Sequence, residues 1–386
     1  MAITRSLLTC RNQGNSTMTY PAHFTAVCLC GLATLLSVGC DSSPDARRST
    51  STNPLNDSTS TQSSQSPASG EHAAQGTTEL TEKQSVSALE AANAKLTRDA
   101  KGEVITADLR GCKLDNAVLG EIATLATLQQ LDMRECVLSN AQLIAAVRPL
   151  AKLRALRLSG KGAATTVDDE GLSVLAGCPE LRVLAADELW FSEDGLKKLT
   201  GCKNLSELYI AQTLIEDAAM PTVASFKQLK KLRLAKTQVS VEGLKALAGL
   251  KLEDLDLSEC SQINDTAMEA VATFTTLKRL NLWRDPITDA GCSKLAGLTQ
   301  LTWYNLDNTQ LTDAGLDHLA GMTELTFLHL GSTGVSDAGM PKLLGLKKLK
   351  DLKVTRTSTT EAGAKLLTDK IPGLEVQVKY REEPAP

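Results

Sequence analysis

Leu301-Thr302-Trp303-Tyr304-Asn305-Leu306-Asp307-Asn308-Thr309-Gln310-Leu311-Thr312-Asp313-Ala314-Gly315-Leu316-Asp317-His318-Leu319-Ala320-Gly321-Met322 carries two hydrophobic periods in succession. The opening LxxLxL alternation suits a short strand, and the three-and-four spacing of the GLxxLAGL-like continuation suits a short helix or helical turn. Thr312-Asp313 stands just before the second period. A Ser or Thr oxygen there accepts a hydrogen bond from an otherwise orphaned helix N–H, and a carboxylate is favourable at the helix's positive end.

The same unit recurs along the chain. Its first position falls at Val104, Leu128, Leu153, Leu181, Leu205, Leu229, Leu252, Leu277, Leu301, Leu325, Leu349 and Leu374. The step is about 24 residues, with an insertion around Gly160 to Thr166 lengthening one unit. One unit cannot bury both faces, but stacked units share one continuous apolar core with parallel strands on one side and helices on the other. Between Thr81 and Leu96, Val86, Leu89 and Leu96 fall on one helical face, which predicts a capping helix. Leu374, Val376 and Val378 predict a closing strand.

From Gly102 to Val378 the pattern resembles the leucine-rich-repeat superfamily, which implies an α/β solenoid with a curved parallel sheet inside and short helices outside. That family places Asn at the ninth position of each unit. Here the position holds Cys112, Cys136, Thr213, Thr237, Cys260, Asp285, Thr309, Thr333 and Thr357. The Thr/Cys preference is more similar to the cysteine-containing, roughly 24-residue subclass than to the shorter internalin type. Most cysteines thereby become small buried hydrophobes, with Cys112 to Cys136 and Cys178 to Cys202 as the pairs near enough in the stack to consider as disulfides.

The N-terminal region reads differently. Arg5 and Arg11 precede a stretch from Asn12 to Cys40 without Lys, Arg, Asp or Glu, a signal-peptide pattern over residues 1–39. Leu36-Ser37-Val38-Gly39-Cys40 resembles the lipobox of bacterial lipoproteins, which implies lipidation of Cys40 and anchoring to a membrane. Residues 40–79 are rich in Ser, Thr, Gln, Asn, Pro and Ala and predict a disordered tether. The domain plan is therefore signal 1–39, tether 40–79, capping region 80–103, solenoid 104–380 and tail 381–386.

A formal charge of −4 and a sequence pI near 5.7 offer no basic field for a phosphate backbone, so a nucleic-acid partner is not expected. With four histidines, no HxxxH and no CxxC, neither a metal nor another cofactor is expected. Phosphate-loop, nucleophile-elbow and metalloprotease motifs do not occur, and a non-enzymatic role is expected.

In LxxLxLxx the x positions of the strand project from the sheet onto the concave surface, so the contact surface reads as columns. Trp283, Trp303 and Phe327 fall there in three adjacent repeats beside Asn281, Asn305, Asp307 and His329, with Tyr209 further off. Aromatic anchors among polar groups are the usual composition of a binding hot spot, and a protein or peptide is the expected partner. Stacking of these rings on a glycan, in a carbohydrate- or wall-associated structural protein, is the alternative; an intracellular adaptor is a weaker one. Lys230/Glu253/Lys278, Lys231/Asp254/Arg279 and Lys236/Glu259/Arg284 alternate in sign on adjoining strands and predict lateral ion-pair rows.

Overall fold

The structure, a computed structural model, describes residues 84–163 and 165–379. Cys40, the signal and tether segments, Thr81 and the 381–386 tail lie outside them. The strands are β1 (Lys95–Arg98), β2 (Val104–Asp108), β3 (Gln130–Asp132), β4 (Ala155–Ser159), β5 (Val183–Asp187), β6 (Glu207–Tyr209) and β7 (Lys231–Arg233). They continue as β8 (Asp254–Asp256), β9 (Arg279–Asn281), β10 (Trp303–Asn305), β11 (Phe327–His329), β12 (Asp351–Lys353) and β13 (Glu375–Gln377).

All thirteen form one sheet in strict sequence order, antiparallel between β1 and β2 and parallel thereafter. Each parallel crossover passes through a short α- or 3-10 helix on the opposite face, so the fold is an α/β leucine-rich-repeat solenoid. Strands repeat at about 4.8 Å whereas packed helices need about 8–10 Å, which bends the stack with the sheet on its inner, concave side. Leu at the first, fourth and sixth positions is buried in repeat after repeat, as in Leu277, Leu280 and Leu282.

The N-terminal cap departs from the single helix expected over Thr81 to Leu96. Helical residues 84–91 bury Val86 and Leu89, but Asn93 turns with φ 66° and Leu96 sits instead on β1. A hairpin strand thus covers the edge of β2, which a helix alone would leave with unpaired backbone groups.

Each Ser or Thr before a helix caps it locally, as Thr288 Oγ1 does by accepting from the Ala290 N–H at 3.2 Å. The adjacent Asp does something the single repeat does not reveal: it reaches into the next unit. Asp169, Asp217, Asp265, Asp289, Asp313 and Asp337 accept the backbone N–H of Ser192, Ser240, Thr288, Thr312, Ser336 and Thr360 at 2.7–2.8 Å, and their hydroxyls as well. Glu193 and Val241 stand where this Asp would be, and the caps that follow them are Glu216 and Asn264 instead of Ser or Thr.

The carboxylate fixes another residue too. A Cβ on Gly291, Gly315, Gly339 or Gly363 would overlap the preceding repeat's Asp Oδ1. Where the Asp is missing, the equivalent positions are Ala219 and Ala267. Glycine here makes room for a neighbour's side chain, which explains the recurring Asp-x-Gly.

At the ninth position Thr213, Thr237, Thr309, Thr333 and Thr357 donate to the carbonyl three residues earlier at 2.6–2.8 Å. Cys136 and Cys260 reach the preceding repeat instead, at Leu109 O (3.0 Å) and Leu234 O (3.1 Å). The six described cysteines are free thiols, so neither considered disulfide is present. The eighth position has left-handed backbone in ordinary residues, from Glu135 (φ 62°) through Glu188, Gln212 and Lys236 to Ser332 (φ 52°). This turn lifts the chain off the sheet toward the helical side. Among the described residues, no helix is long and apolar enough to cross a membrane.

Candidate functional site

The concave columns are assembled by register. Trp303 lies between Arg279 and Phe327, and Asn305 between Asn281 and His329. Trp303 and Phe327 stack with centroids 5.0 Å apart and planes 5° from parallel. The Arg279 guanidinium lies 4.3 Å from the Trp303 centroid and the Lys353 ammonium 5.5 Å from that of Phe327. These cations come from opposite sides of the stack, so both outer ring faces are taken. A sugar needs an open face to stack on, and this pair offers chiefly edges. Trp283 is likewise accompanied by Arg284 at 5.5 Å.

Asn281 and Asn305 are hooks. Their Oδ1 atoms accept the N–H two residues ahead, of Trp283 at 3.2 Å and Asp307 at 3.0 Å, and so aim the seventh-position side chains. His329 stands where those repeats have Asn and meets the Phe327 ring edge-on at 6.3 Å. Its Nε2 lies 3.9 Å from Asp307 Oδ1. Burial holds the imidazole's pKa below its ordinary value, opposed by Asp307 and Asp351 and reinforced by Lys353. Burial of neutral imidazole thus outweighs the carboxylate beside it.

Tyr209 lies apart from this group, on the wall of a cavity of about 430 Å³ that also takes in Arg134, Arg157, Ser159, Ala185 and Arg233. Its hydroxyl donates to Glu207 at 2.8 Å, and burial together with that carboxylate pushes its pKa up. Arg233 bridges Asp187 at 2.7 Å and Asp256 at 3.1 Å, whereas Arg157 has no carboxylate within 4 Å among the described residues. Two further recesses adjoin. One of about 250 Å³ includes Asp187, Arg233, Asn281 and Trp283; one of about 470 Å³ includes Gly160, Trp190, Leu214 and Lys236. All three meet at Glu188.

The structure therefore divides the eight expected contact residues. Tyr209, Asn281 and Trp283 line the recesses, and Trp303, Asn305, Asp307, Phe327 and His329 form a separate group further along the same face. Sequence reading missed Trp190 and Leu214, which are 63% and 55% exposed at the tenth position. Trp190 was legible as a large aromatic residue outside the buried positions, but its repeat has Leu189 at the ninth position and so hides the register.

The ion-pair rows form with one change. Lys230 and Lys278 both bind Glu253, at 2.5 and 2.8 Å, and hold its carboxyl down at about 2. Lys236 and Arg284 both bind Glu259. In the middle row Arg279 binds Asp254, but Lys231 turns back to Glu207 at 2.9 Å. Exposed pairs of this kind contribute under about 1 kcal/mol each.

No family model and no curated protein matches the sequence. Among solved structures, the chain is similar to an internalin from Listeria monocytogenes, with 18% identity, 77% of this chain and 88% of that chain covered, and a TM-score of 0.49. It is also similar to a chain of the Rad7 and Elc1 complex from yeast, with 17% identity, 67% and 77% covered, and a TM-score of 0.48.

Proposed function

We propose that this chain is a non-enzymatic protein-binding module whose concave sheet face receives an extended segment of a partner. The observation that carries this reading is a pair of recesses that share Asp187, Glu188 and Arg233 and together cross the sheet from Arg134 to Trp283, with a third opening beside them at Glu188. That course spans six strand intervals, or about 29 Å at about 4.8 Å each, the length of about nine extended residues. A trough of that length, lined by paired charges with aromatic walls, suits a polypeptide better than a small metabolite. The occupied ring faces of Trp303 and Phe327 favour it over the glycan reading.

Selection of random dodecapeptides on the full chain, followed by calorimetry, tests the proposal. Binding is expected to fall at least about tenfold in Arg157→Ala with Tyr209→Ala or in Trp303→Ala with Phe327→Ala, equivalent to about 1.4 kcal/mol. Peptides whose affinity survives both double variants would remove the concave face from the reading.

The same proposal displays the module outside the cytoplasm on a lipid-anchored tether. Its support is the uncharged stretch ending in Leu36-Ser37-Val38-Gly39-Cys40 and the Ser/Thr-rich segment behind it. The mass of the mature N-terminal peptide decides this: diacylated or triacylated Cys40 is expected, and an intact Met1 or Met18 terminus refutes export.

A further inference from the structure

Gly331 occupies the seventh concave position of its repeat, where neighbours carry Trp283, Asp307 and Thr355. A Cβ there would lie 2.7 Å from Asp307 Oδ1, 2.9 Å from His329 Nε2 and 3.0 Å from Thr355 Oγ1. The missing side chain leaves a notch in the seventh-position column, and three polar atoms from three consecutive repeats converge over it too closely for a Cβ to fit beneath them. None of the three atoms has a hydrogen-bond partner among the described residues. Asp307 has no Lys or Arg within 4 Å among the described residues, although its side chain is only 20% exposed. Thr355 is buried with no hydrogen bond from its hydroxyl among those described, and the Asn hook of neighbouring repeats is replaced by His329.

A half-buried carboxylate without a counter-ion is costly, and the cost is relieved by a cation that hydrogen-bonds to it. An ammonium has three donors and no acceptor, whereas a guanidinium is a planar fork with five donors and needs a wider slot. Neutral imidazole and hydroxyl supply the second and third acceptors. The Phe327 ring stands edge-on to His329 beside them.

We propose that the notch over Gly331 binds a primary ammonium group of the protein partner, with Asp307, His329 and Thr355 each accepting one hydrogen bond. This deepens the concave-face reading by naming the chemistry of one contact, and rests on that reading for the ammonium's source. A lysine side chain and a chain's N-terminal amine share that chemistry. Asp307 faces His329 from β10's exit and Lys353 and Asp351 face it from β12. Protonating the imidazole removes one acceptor and places a like charge in the notch. Acid therefore weakens binding.

The test uses the full chain with ¹⁵N-labelled histidine, the His329 signals being assigned with a His329→Gln variant. The probes are Nα-acetyl-lysine methylamide, its Nε-acetylated form, and glycinamide for the α-amine. The His329 ring signals are expected to move with the lysine probe or with glycinamide, which identifies the source, and not with the acetylated probe. Asp307→Asn, which keeps the shape, is expected to weaken the response about tenfold or more, as is protonation of His329. Thr355→Val weakens it less. No response to either amine, an equal response to the acetylated probe, unchanged affinity in Asp307→Asn, or a response to Mg²⁺ alone overturns the proposal. Silence from the amines leaves the peptide-selection result standing and removes the notch only.

Discussion

Replacing Asp285 with Thr is expected to stabilise the protein, and the gain should depend on pH in a defined direction. Asp285 fills a ninth position, where five other repeats carry the Thr that donates to its own strand's end. It is 1% exposed; its Oδ1 accepts the Cys260 N–H at 2.9 Å and its Oδ2 has no partner. Burial, with repulsion from Asp256 and Glu259 and against the Cys260 hydrogen bond, pushes the carboxyl from 3.8 up to about 9. At pH 7 the native group is therefore protonated while the unfolded chain's is ionised. Below about pH 4 both states are protonated and the native fold carries no penalty from this group. Each unit above that costs about 1.4 kcal/mol until the folded pKa is reached, so the loss at pH 7 is about 4 kcal/mol.

Urea denaturation of the wild type, Asp285→Thr and the isosteric Asp285→Asn, followed by far-ultraviolet circular dichroism between pH 4 and 9, measures this. Both variants should exceed the wild type by up to about 4 kcal/mol at pH 7, with the excess shrinking toward zero near pH 4. Subtracting one protein's curve from another's cancels every other titrating group. Parallel stability-against-pH curves for the three proteins would refute the reasoning.

Gly291→Ala should cost about 1–3 kcal/mol, because its Cβ would overlap Asp265 and crowd Ile287; adding Asp265→Ala should cost less than the two single losses together, and strict additivity in a denaturation cycle would contradict the inter-repeat origin of the glycine. Tyr304→Phe should hold or raise stability, by up to about 1 kcal/mol, because the buried hydroxyl has no hydrogen-bond partner stronger than the Cys292 thiol; a measured loss above that would show a stronger partner. Iodoacetamide at pH 8 should modify Cys112 first among the six described thiols, read by peptide mass spectrometry. Burial pushes Cys136, Cys178 and Cys202 up to about 11 and Cys260 and Cys292 up to about 12, so early labelling of Cys292 would show that the core opens. Ser332→Gly should stabilise by about 1 kcal/mol by relieving a left-handed backbone, less the entropy glycine adds to the unfolded chain, and a drop in melting temperature would contradict that.

The repeat, its register and its core were legible in the residues because all three depend on neighbours within one unit. Leu at the first, fourth and sixth positions is buried wherever it stands, and a Ser or Thr before the helix caps that helix whatever lies beside it. The concave columns also followed, since strand alternation fixes which side chains face outward. What those side chains then touch depends on neighbours about 24 residues away and on the direction each one takes, which periodicity does not encode. So Trp303 and Phe327 were readable as exposed aromatics, but only the tertiary structure closed their faces with Arg279 and Lys353. Lys231 had two carboxylates beside it in the stack, and its choice of Glu207 over Asp254 was settled by geometry. The Asp-x-Gly motif was visible as letters throughout. Its reason, a carboxylate from one turn occupying the space above a glycine in the next, exists only once the turns are stacked.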